Sequence, residues 1–329
     1  MQIDLRTVQI KPLRQTYDHI ARRFGDKPAS RYQEASYDVQ AVTNFHYRPY
    51  WDPEHNVFDA SRTKIKMKDW YSFRDPRQFY YGSYVIARAK MQETAEADFD
   101  FVETRNLVER WSDADKANVL AVMMPLRHIA WGSNMNNAAM CAYGYGTIIT
   151  QPCLYLGMDQ LANAQYITRM GLLVGGPGAT DQGKDAWMND AAWQGLRKYV
   201  EDSFVVQDWF ELFVAQNLVL DGLLFPLIYG VYEHHMSEKV GTALSLMVRF
   251  QNDWYAETVK FVDAQIKTAA AESPENAELL KGWISQYADS AAQALLPLAQ
   301  MALGDAGAQA VADGRAQLNA RVQKLGVAV

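Results

Sequence analysis

The chain has 329 residues, of which 49% are apolar, which is enough for one large hydrophobic core. The net charge of −6 hides an asymmetry, because residues 1–90 carry 16 Lys and Arg against 10 Asp and Glu. These basic residues are scattered, whereas a nucleic-acid interface needs a dense basic face, so the sequence excludes that class of partner. The basic segment fits either an acidic partner or an ordinary solvated surface.

Two cysteines, Cys141 and Cys153, lie in apolar helical context without a CxxC spacing. We expect both to be reduced core residues of a cytoplasmic protein, because disulfides persist mainly in oxidising compartments. The first residues also lack the charged-then-apolar order of a secretory signal.

The N-terminal segment, residues 1–76, is rich in aromatic side chains and interrupted by prolines. Between Tyr17 and Tyr84 lie 16 of the 40 Phe, Trp and Tyr residues, and prolines at 12, 28, 49, 53 and 76 exclude long helices. We predict an extended arm. Such a segment cannot bury so many rings in itself, so we expect it partly to wrap its own bundle and partly to lie across another subunit.

Helical periodicity begins near residue 77 and continues to the C-terminus, so that residues 77–329 form the helical domain. Ser112, with Asp115 three residues later, is typical of a helix start, and Ser273 followed by Pro274 is another. The predicted helices cover residues 77–110 with a possible restart after 91, 113–143 with a bend at Pro125, 155–170, 185–201, 209–232, 237–267, and 274–329 with a break at 304–307.

Residues 209–232 form the most apolar segment, with only Glu211 and Asp221 charged. Its length approaches a membrane span, but an aspartate near the centre of a bilayer costs roughly 2.5–3.5 kcal/mol, and no basic cluster flanks the segment. We therefore predict a buried central helix and no membrane contact. The glycine-rich residues 174–180 lack the spacing of a phosphate-binding loop.

Polar residues recur on the apolar helices where a four-helix metal bundle would carry its ligands. Gln160 and Asn163 stand three apart, the spacing at which di-iron bundles carry Glu-x-x-His, yet both are neutral amides. Ser133 and Asn134 lie on the first of these four helices, Asp221 lies on the third, and Asn252 and Tyr255 lie on the fourth. The alternative is that these are ordinary buried polar residues, satisfied locally.

The densest cluster of metal-ligand types is Glu233, His234, His235 and Glu238, at the end of the apolar helix. A solvated helix end is its ordinary interpretation, and a metal site with an unusual ligand set is the alternative. No helix carries Glu-x-x-His, and no Gly-x-Ser-x-Gly elbow is present.

Several stretches carry a family resemblance over nearly the whole chain. Residues 44–55 read NFHYRPYWDPEH, and residues 69–85 read DWYSFRDPRQFYYGSYV. With these stretches the chain resembles the β subunit of hydroxylases in bacterial multicomponent monooxygenases, most closely the phenol hydroxylases. Residues 158–165 resemble the α-subunit segment with Glu-x-x-His, so that Gln160 falls on the glutamate and Asn163 on the histidine. Residues 218–221 resemble the segment with the third-helix glutamate, and the match at Asn252 and Tyr255 is looser.

The resemblance implies an all-α, ferritin-like fold of the ribonucleotide-reductase type in a non-catalytic chain without metal or cofactor. It implies α and γ partners in an (αβγ)2 hydroxylase whose α subunit holds a di-iron centre and converts phenol or methylphenols to catechols. Electrons would come from NADH through a reductase with FAD and a 2Fe–2S cluster, and a small effector protein would bind the complex. The expected subunit-interface residues are Tyr47, Tyr50, Trp51, Trp70, Arg74, Asp75, Arg77, Tyr81 and Tyr84.

Asp221 has a specific expected environment. A buried carboxylate needs a partner, and the amides of Gln160 and Asn163, or the guanidinium of Arg249, are the expected donors.

Two hypotheses of different class follow from the sequence, a scaffolding subunit of an oxygenase and a self-sufficient metal protein using the Glu233 cluster. Iron analysis of the chain purified alone separates them.

Overall fold

The computed structural model describes residues 13–41 and 47–328, and within these residues all regular structure is helical. The predicted all-α class is therefore confirmed. Residues 44–46, the start of the first family stretch, lie outside the described residues.

The described part of the N-terminal arm, residues 13–41 and 47–76, contains only short helices, as predicted. They are α1 (Asp18–Phe24) and α2 (Arg31–Ser36), and single 3₁₀ turns follow at Ala60–Arg62 and Trp70–Ser72. Ser30 caps α2 with a reciprocal capping box. The side chains of Tyr32, Ile65, Trp70 and Phe73 join the main hydrophobic core, so the described part of the arm packs on the helical body of its own chain.

Four helices follow the arm: α3 (Tyr81–Thr104), α4 (Asp113–Met123), α5 (Leu126–Tyr143) and α6 (Thr147–Gly175). The Ser112 hydroxyl accepts a hydrogen bond from the Asp115 amide, which confirms the predicted start of α4. The expected bend at Pro125 is a break, because the chain restarts there as α5. Helices α5 and α6 pack along their length, and the Asn134 side chain donates to the carbonyl of Gly157 (2.8 Å).

The single helix predicted at 185–201 is wrong, because the chain forms α7 (Ala179–Asn189) and α8 (Ala191–Ser203) instead. Asp190 lies between them in an extended conformation, and its carboxylate accepts a hydrogen bond from the amide of Ala192 (2.8 Å). An aspartate is a favoured N-cap, so this local bond competes with helix continuation.

The central helix is α9 (Trp209–Val240), which is capped by Asp208 and contains two π-helical stretches, Val214–Leu220 and Pro226–Tyr232. In the described part of the chain it is the one helix long and apolar enough to cross a membrane. Of its most apolar window, 94% is buried inside the protein, which confirms the prediction of a buried core helix.

The last quarter of the chain comprises α10 (Ala243–Met247), α11 (Arg249–Glu272), α12 (Pro274–Leu303) and α13 (Gly307–Lys324). The helix predicted at 237–267 is divided, because Gly241 leaves α9 with a φ of 77° that a helix cannot continue. The predicted start at Pro274 and the break after Leu303 are confirmed. Helix α8 lies close to α12, since a Cβ on Gly195 would come within 3.1 Å of the Ala294 Cα.

Candidate functional site

The amides of Gln160 and Asn163 are buried in α6 and are joined by one hydrogen bond. The Asn163 side chain donates to the Gln160 side-chain oxygen (3.1 Å), and the Asn163 oxygen has no hydrogen-bond partner. Iron in a carboxylate bundle needs an anionic oxygen and an imidazole from these two turns. Two neutral amides that bond to each other do not fit such a centre.

Asp221 is 2% exposed and lies on α9 between its two π-helical stretches. The Gln216 amide donates to its Oδ1 (2.9 Å), and its Oδ2 has no partner. Burial raises the pKa of Asp221 to about 7, although the Gln216 hydrogen bond and the charge of Arg321 oppose this shift.

The predicted burial of Asp221 is confirmed, and its predicted partners are wrong. Gln160 and Asn163 bond to each other, and Arg249 pairs with Asp98 (3.2 Å). The donor is Gln216, five residues before Asp221, because the intervening π-helical stretch brings side chains at this spacing onto one side of the helix.

A buried amide network joins α5 to α9. Asn136 donates to Ser203 (2.8 Å) and to the side-chain oxygen of Gln216 (2.9 Å), so that it extends the Asp221 cluster. Asn137 and Asn217 exchange two hydrogen bonds of 3.1 and 3.0 Å. Asn136 and Asn137 were not among the predicted site residues, although adjacent asparagines within an apolar helix were a readable signal.

The two residues of α11 that were expected at ligand positions, Asn252 and Tyr255, lie in different environments. Asn252 is exposed, and the buried amide of that turn belongs to Gln251, so the expected place of Asn252 in the bundle interior is wrong by one residue. Tyr255 stacks on Phe225 with ring centroids 5.2 Å apart, and its hydroxyl accepts a hydrogen bond from Arg321 (3.3 Å). No hydrogen bond joins either residue to Gln160, Asn163 or Asp221 among the described side chains.

The cluster at the end of α9 does not converge on a point. His234 is exposed and lies 3.7 Å from Glu238, which is exposed too, whereas Glu233 turns towards the protein and accepts hydrogen bonds from Ser237 and Ser245. Within residues 13–41 and 47–328, no group of three His, Cys, Asp or Glu residues is placed to hold a metal ion.

A buried electrostatic cluster surrounds Asp159, which was not among the predicted site residues. Arg88 binds its carboxylate with two hydrogen bonds (2.8 and 2.9 Å), and Tyr84 and Trp254 each donate one more (2.8 and 2.9 Å). Arg88 also binds Glu257 (2.9 Å), so the cluster joins α3, α6 and α11. Burial, and then the Asp159 carboxylate, raises the pKa of Tyr84 well above its usual value.

The expected interface residues fall into two groups. Trp70, Asp75, Arg77 and Tyr84 are packed inside this chain; Arg77, for example, is ion-paired with Asp75 (2.9 Å) and Glu257 (3.3 Å). They have almost no free side-chain surface in this chain, so the prediction of an interface depends on the exposed group. The exposed group is Tyr47, Tyr50, Trp51, Arg74 and Tyr81.

The described residues form a ferritin-like helical bundle, and its interior contains hydrogen-bonded amides and ion pairs. The model of the methane/phenol/alkene hydroxylase family matches residues 51–273. The chain therefore belongs to the methane/phenol/alkene hydroxylase family.

Relatives that align over nearly the whole chain give a finer comparison within this family. The chain is 49% identical to an oxygenase component of phenol 2-monooxygenase from Pseudomonas sp. (strain CF600), and 44% identical to the corresponding component from Acinetobacter pittii (strain PHEA-2). Each alignment covers 99% of this chain and 98% of the relative. Phenol hydroxylase from Pseudomonas sp. OX1, solved under xenon pressure, superimposes with a TM-score of 0.93 at 46% identity, over 98% of both chains.

Proposed function

We propose that this chain is the non-catalytic β subunit of the oxygenase component of a multicomponent phenol hydroxylase. Family membership and near-complete alignment with oxygenase components of phenol 2-monooxygenase support the reaction class. The hydrogen-bonded amides at Gln160 and Asn163 carry the subunit assignment, because they occupy the turns that supply iron ligands in a catalytic bundle.

In this proposal the chemistry takes place on another chain. An α subunit holds the di-iron centre that hydroxylates phenol or methylphenols to catechols, and a reductase with FAD and a 2Fe–2S cluster delivers electrons from NADH. A γ subunit completes a cytoplasmic (αβγ)2 assembly, to which a small effector protein binds. The positions Gln160, Asn163 and Asp221 are former ligand positions.

In this proposal the buried polar residues of this chain have a structural role. The Asn136–Gln216–Asp221 hydrogen bonds hold α5 against α9, and the Arg88–Asp159 pair holds α3 against α6. Both oxygens of the Asp159 carboxylate are hydrogen-bonded, and satisfied buried polar networks favour one helix register over others, which suits a subunit that must present a fixed surface.

Iron content and activity test the proposal together. We expect the chain purified alone to contain substoichiometric iron and to leave phenol unchanged. Co-expressed with its α and γ subunits and supplied with the reductase and effector, it should be recovered in a complex that converts phenol to catechol. Stoichiometric iron in the isolated chain, or an active α subunit that never associates with it, would contradict the proposal.

A further inference from the structure

Residues 129–168, which form most of α5 and α6, contain one charged residue. That residue is Asp159, which is buried and bound by Arg88. The solvent side of a surface helix normally carries charged residues. Here the solvent side of both helices carries none between residues 129 and 168.

Large apolar side chains occupy this side instead. Trp131 and Met135 on α5, and Leu154 and Leu161 on α6, are 44–52% exposed. Ala138 and Ala142 continue the α5 stripe at helical spacing, and Met158 lies between the two leucines of α6. These seven residues are named the α5/α6 face.

The α5/α6 face extends over residues 131–142 of α5 and residues 154–161 of α6. At 1.5 Å per residue these stretches are ~18 and ~12 Å long. A standard protein interface buries ~800 Å² on each partner, so the α5/α6 face supplies the apolar centre of such an interface and the residues around it supply the remainder.

Exposed aromatic residues extend the α5/α6 face at its edges. Trp51 packs edge-on against Tyr143 at the end of α5, and Trp131 packs edge-on against Phe204. The buried ring of Tyr84 of α3 stacks on Tyr155 of α6 with centroids 4.4 Å apart, and Tyr81, on the same first turn of α3, is exposed. Exposed residues of the arm are thus continuous with the uncharged helices.

We propose that the α5/α6 face is the permanent docking surface for the metal-bearing α subunit, through uncharged apolar helices of that subunit. This inference rests on the proposed function. A non-catalytic chain must hold its catalytic partner throughout turnover, and permanent interfaces are apolar and depleted of charge at their core. A second copy on this face would leave the α subunit to bind charged helices such as α8, whose exposed side carries Lys198, Glu201 and Asp202.

Paired glutamate substitutions test the α5/α6 face. The variant Ala138→Glu with Leu161→Glu adds two charges to it, and the control Ala312→Glu with Gln317→Glu adds two charges to exposed positions of α13. All four positions are exposed, so both variants should match the wild-type melting temperature. Since burying an unpaired charge costs several kcal/mol, we expect the face variant to retain at least about tenfold less α subunit on co-purification, with the control unchanged.

Three results would overturn the inference. The first is a face variant that retains as much α subunit as the control. The second is an isolated wild-type chain that sediments as a dimer, with a monomeric face variant that still binds α, because the face would then belong to a second copy. The third is a wild-type chain that does not retain α at all, which refutes the proposed function itself. If the glutamates lower the melting temperature, Ala138→Gln with Leu161→Gln repeats the comparison without charge.

Discussion

The carboxyl group of Asp221 is buried with one oxygen bound to Gln216 and the other without a hydrogen-bond partner. Its pKa is raised from 3.8 to about 7, mainly by burial. In the folded chain the group therefore stays protonated up to near neutral pH, whereas in the unfolded chain it ionises at about pH 4. Because the folded state then binds the extra proton, the contribution of this group to stability falls as pH rises from about 4 to 7.

Replacement of Asp221 with Asn should remove this pH dependence. A shift of about three pKa units corresponds to roughly 4 kcal/mol, so we expect Asp221→Asn to be more stable than wild type at pH 8, with a difference that shrinks towards pH 4. Urea unfolding at pH 5, 6, 7 and 8 measures it, with the exposed Asp313→Asn as the control. Parallel stability curves for wild type and Asp221→Asn would show that the carboxyl titrates normally.

His234 is a second test at the residue scale. It is exposed on α9, its Nε2 lies 3.7 Å from the Glu238 carboxylate, and Glu233 is turned away. We expect His234→Ala to leave phenol hydroxylation by the assembled complex within about twofold of wild type, since substitutions at solvated helix ends change little. A loss of about a hundredfold or more, roughly 2.7 kcal/mol of barrier, with assembly intact would instead favour a metal site at the Glu233 cluster.

At the scale of the elements, the Asp159 cluster fixes how α3 lies against α6 and α11. Arg88 is ion-paired with both Asp159 and Glu257, and Arg77 is a second partner of Glu257. Tyr84 and Trp254 complete the hydrogen bonds of the Asp159 carboxylate. Removal of one partner from a buried ion pair leaves an uncompensated charge, which costs more than the pair itself contributes.

Arg88→Gln should therefore be strongly destabilising. Breaking a buried pair in this way costs about 3–5 kcal/mol, whereas Lys198→Gln, which removes an exposed pair with Asp202, should cost less than about 1 kcal/mol. Urea unfolding at pH 7 compares the two variants. Equal, small losses would mean that water reaches Asp159 in the folded chain.

At the scale of the whole molecule, the N-terminal arm contributes side chains both to the core of its own chain and to the exposed surface. Trp70 lies in the core beside Phe73 and Trp209, whereas Trp51 is 73% exposed and touches the end of α5 through Tyr143. The same segment therefore stabilises its own body and leaves aromatic side chains next to the α5/α6 face.

Alanine substitution should separate these two roles. Trp70→Ala should lower the free energy of unfolding of the isolated chain by about 3–5 kcal/mol, because it leaves a cavity in the core. Trp51→Ala should change that stability by less than about 1 kcal/mol and should weaken retention of the α subunit instead. Thermal unfolding and co-purification of both variants measure the contrast, and a Trp51 variant that loses stability without losing the partner would show that the arm serves only its own chain.

The helical class, the starts at Ser112 and Ser273 and the buried helix at 209–232 were readable from sequence, because capping, periodicity and an apolar composition act within a few residues of one another. The family was readable too, from the aromatic stretch at 69–85.

Tertiary structure decided the partners of the buried charges. Asp221 is bound by Gln216 only because α9 adopts a π-helical stretch, and Asp159 is paired only because α3 and α11 bring Arg88 and Glu257 to it. It also decided which arm residues are buried in the core and which remain exposed. Helix register and long-range pairing depend on the packing of elements far apart in the chain, and no local pattern encodes them.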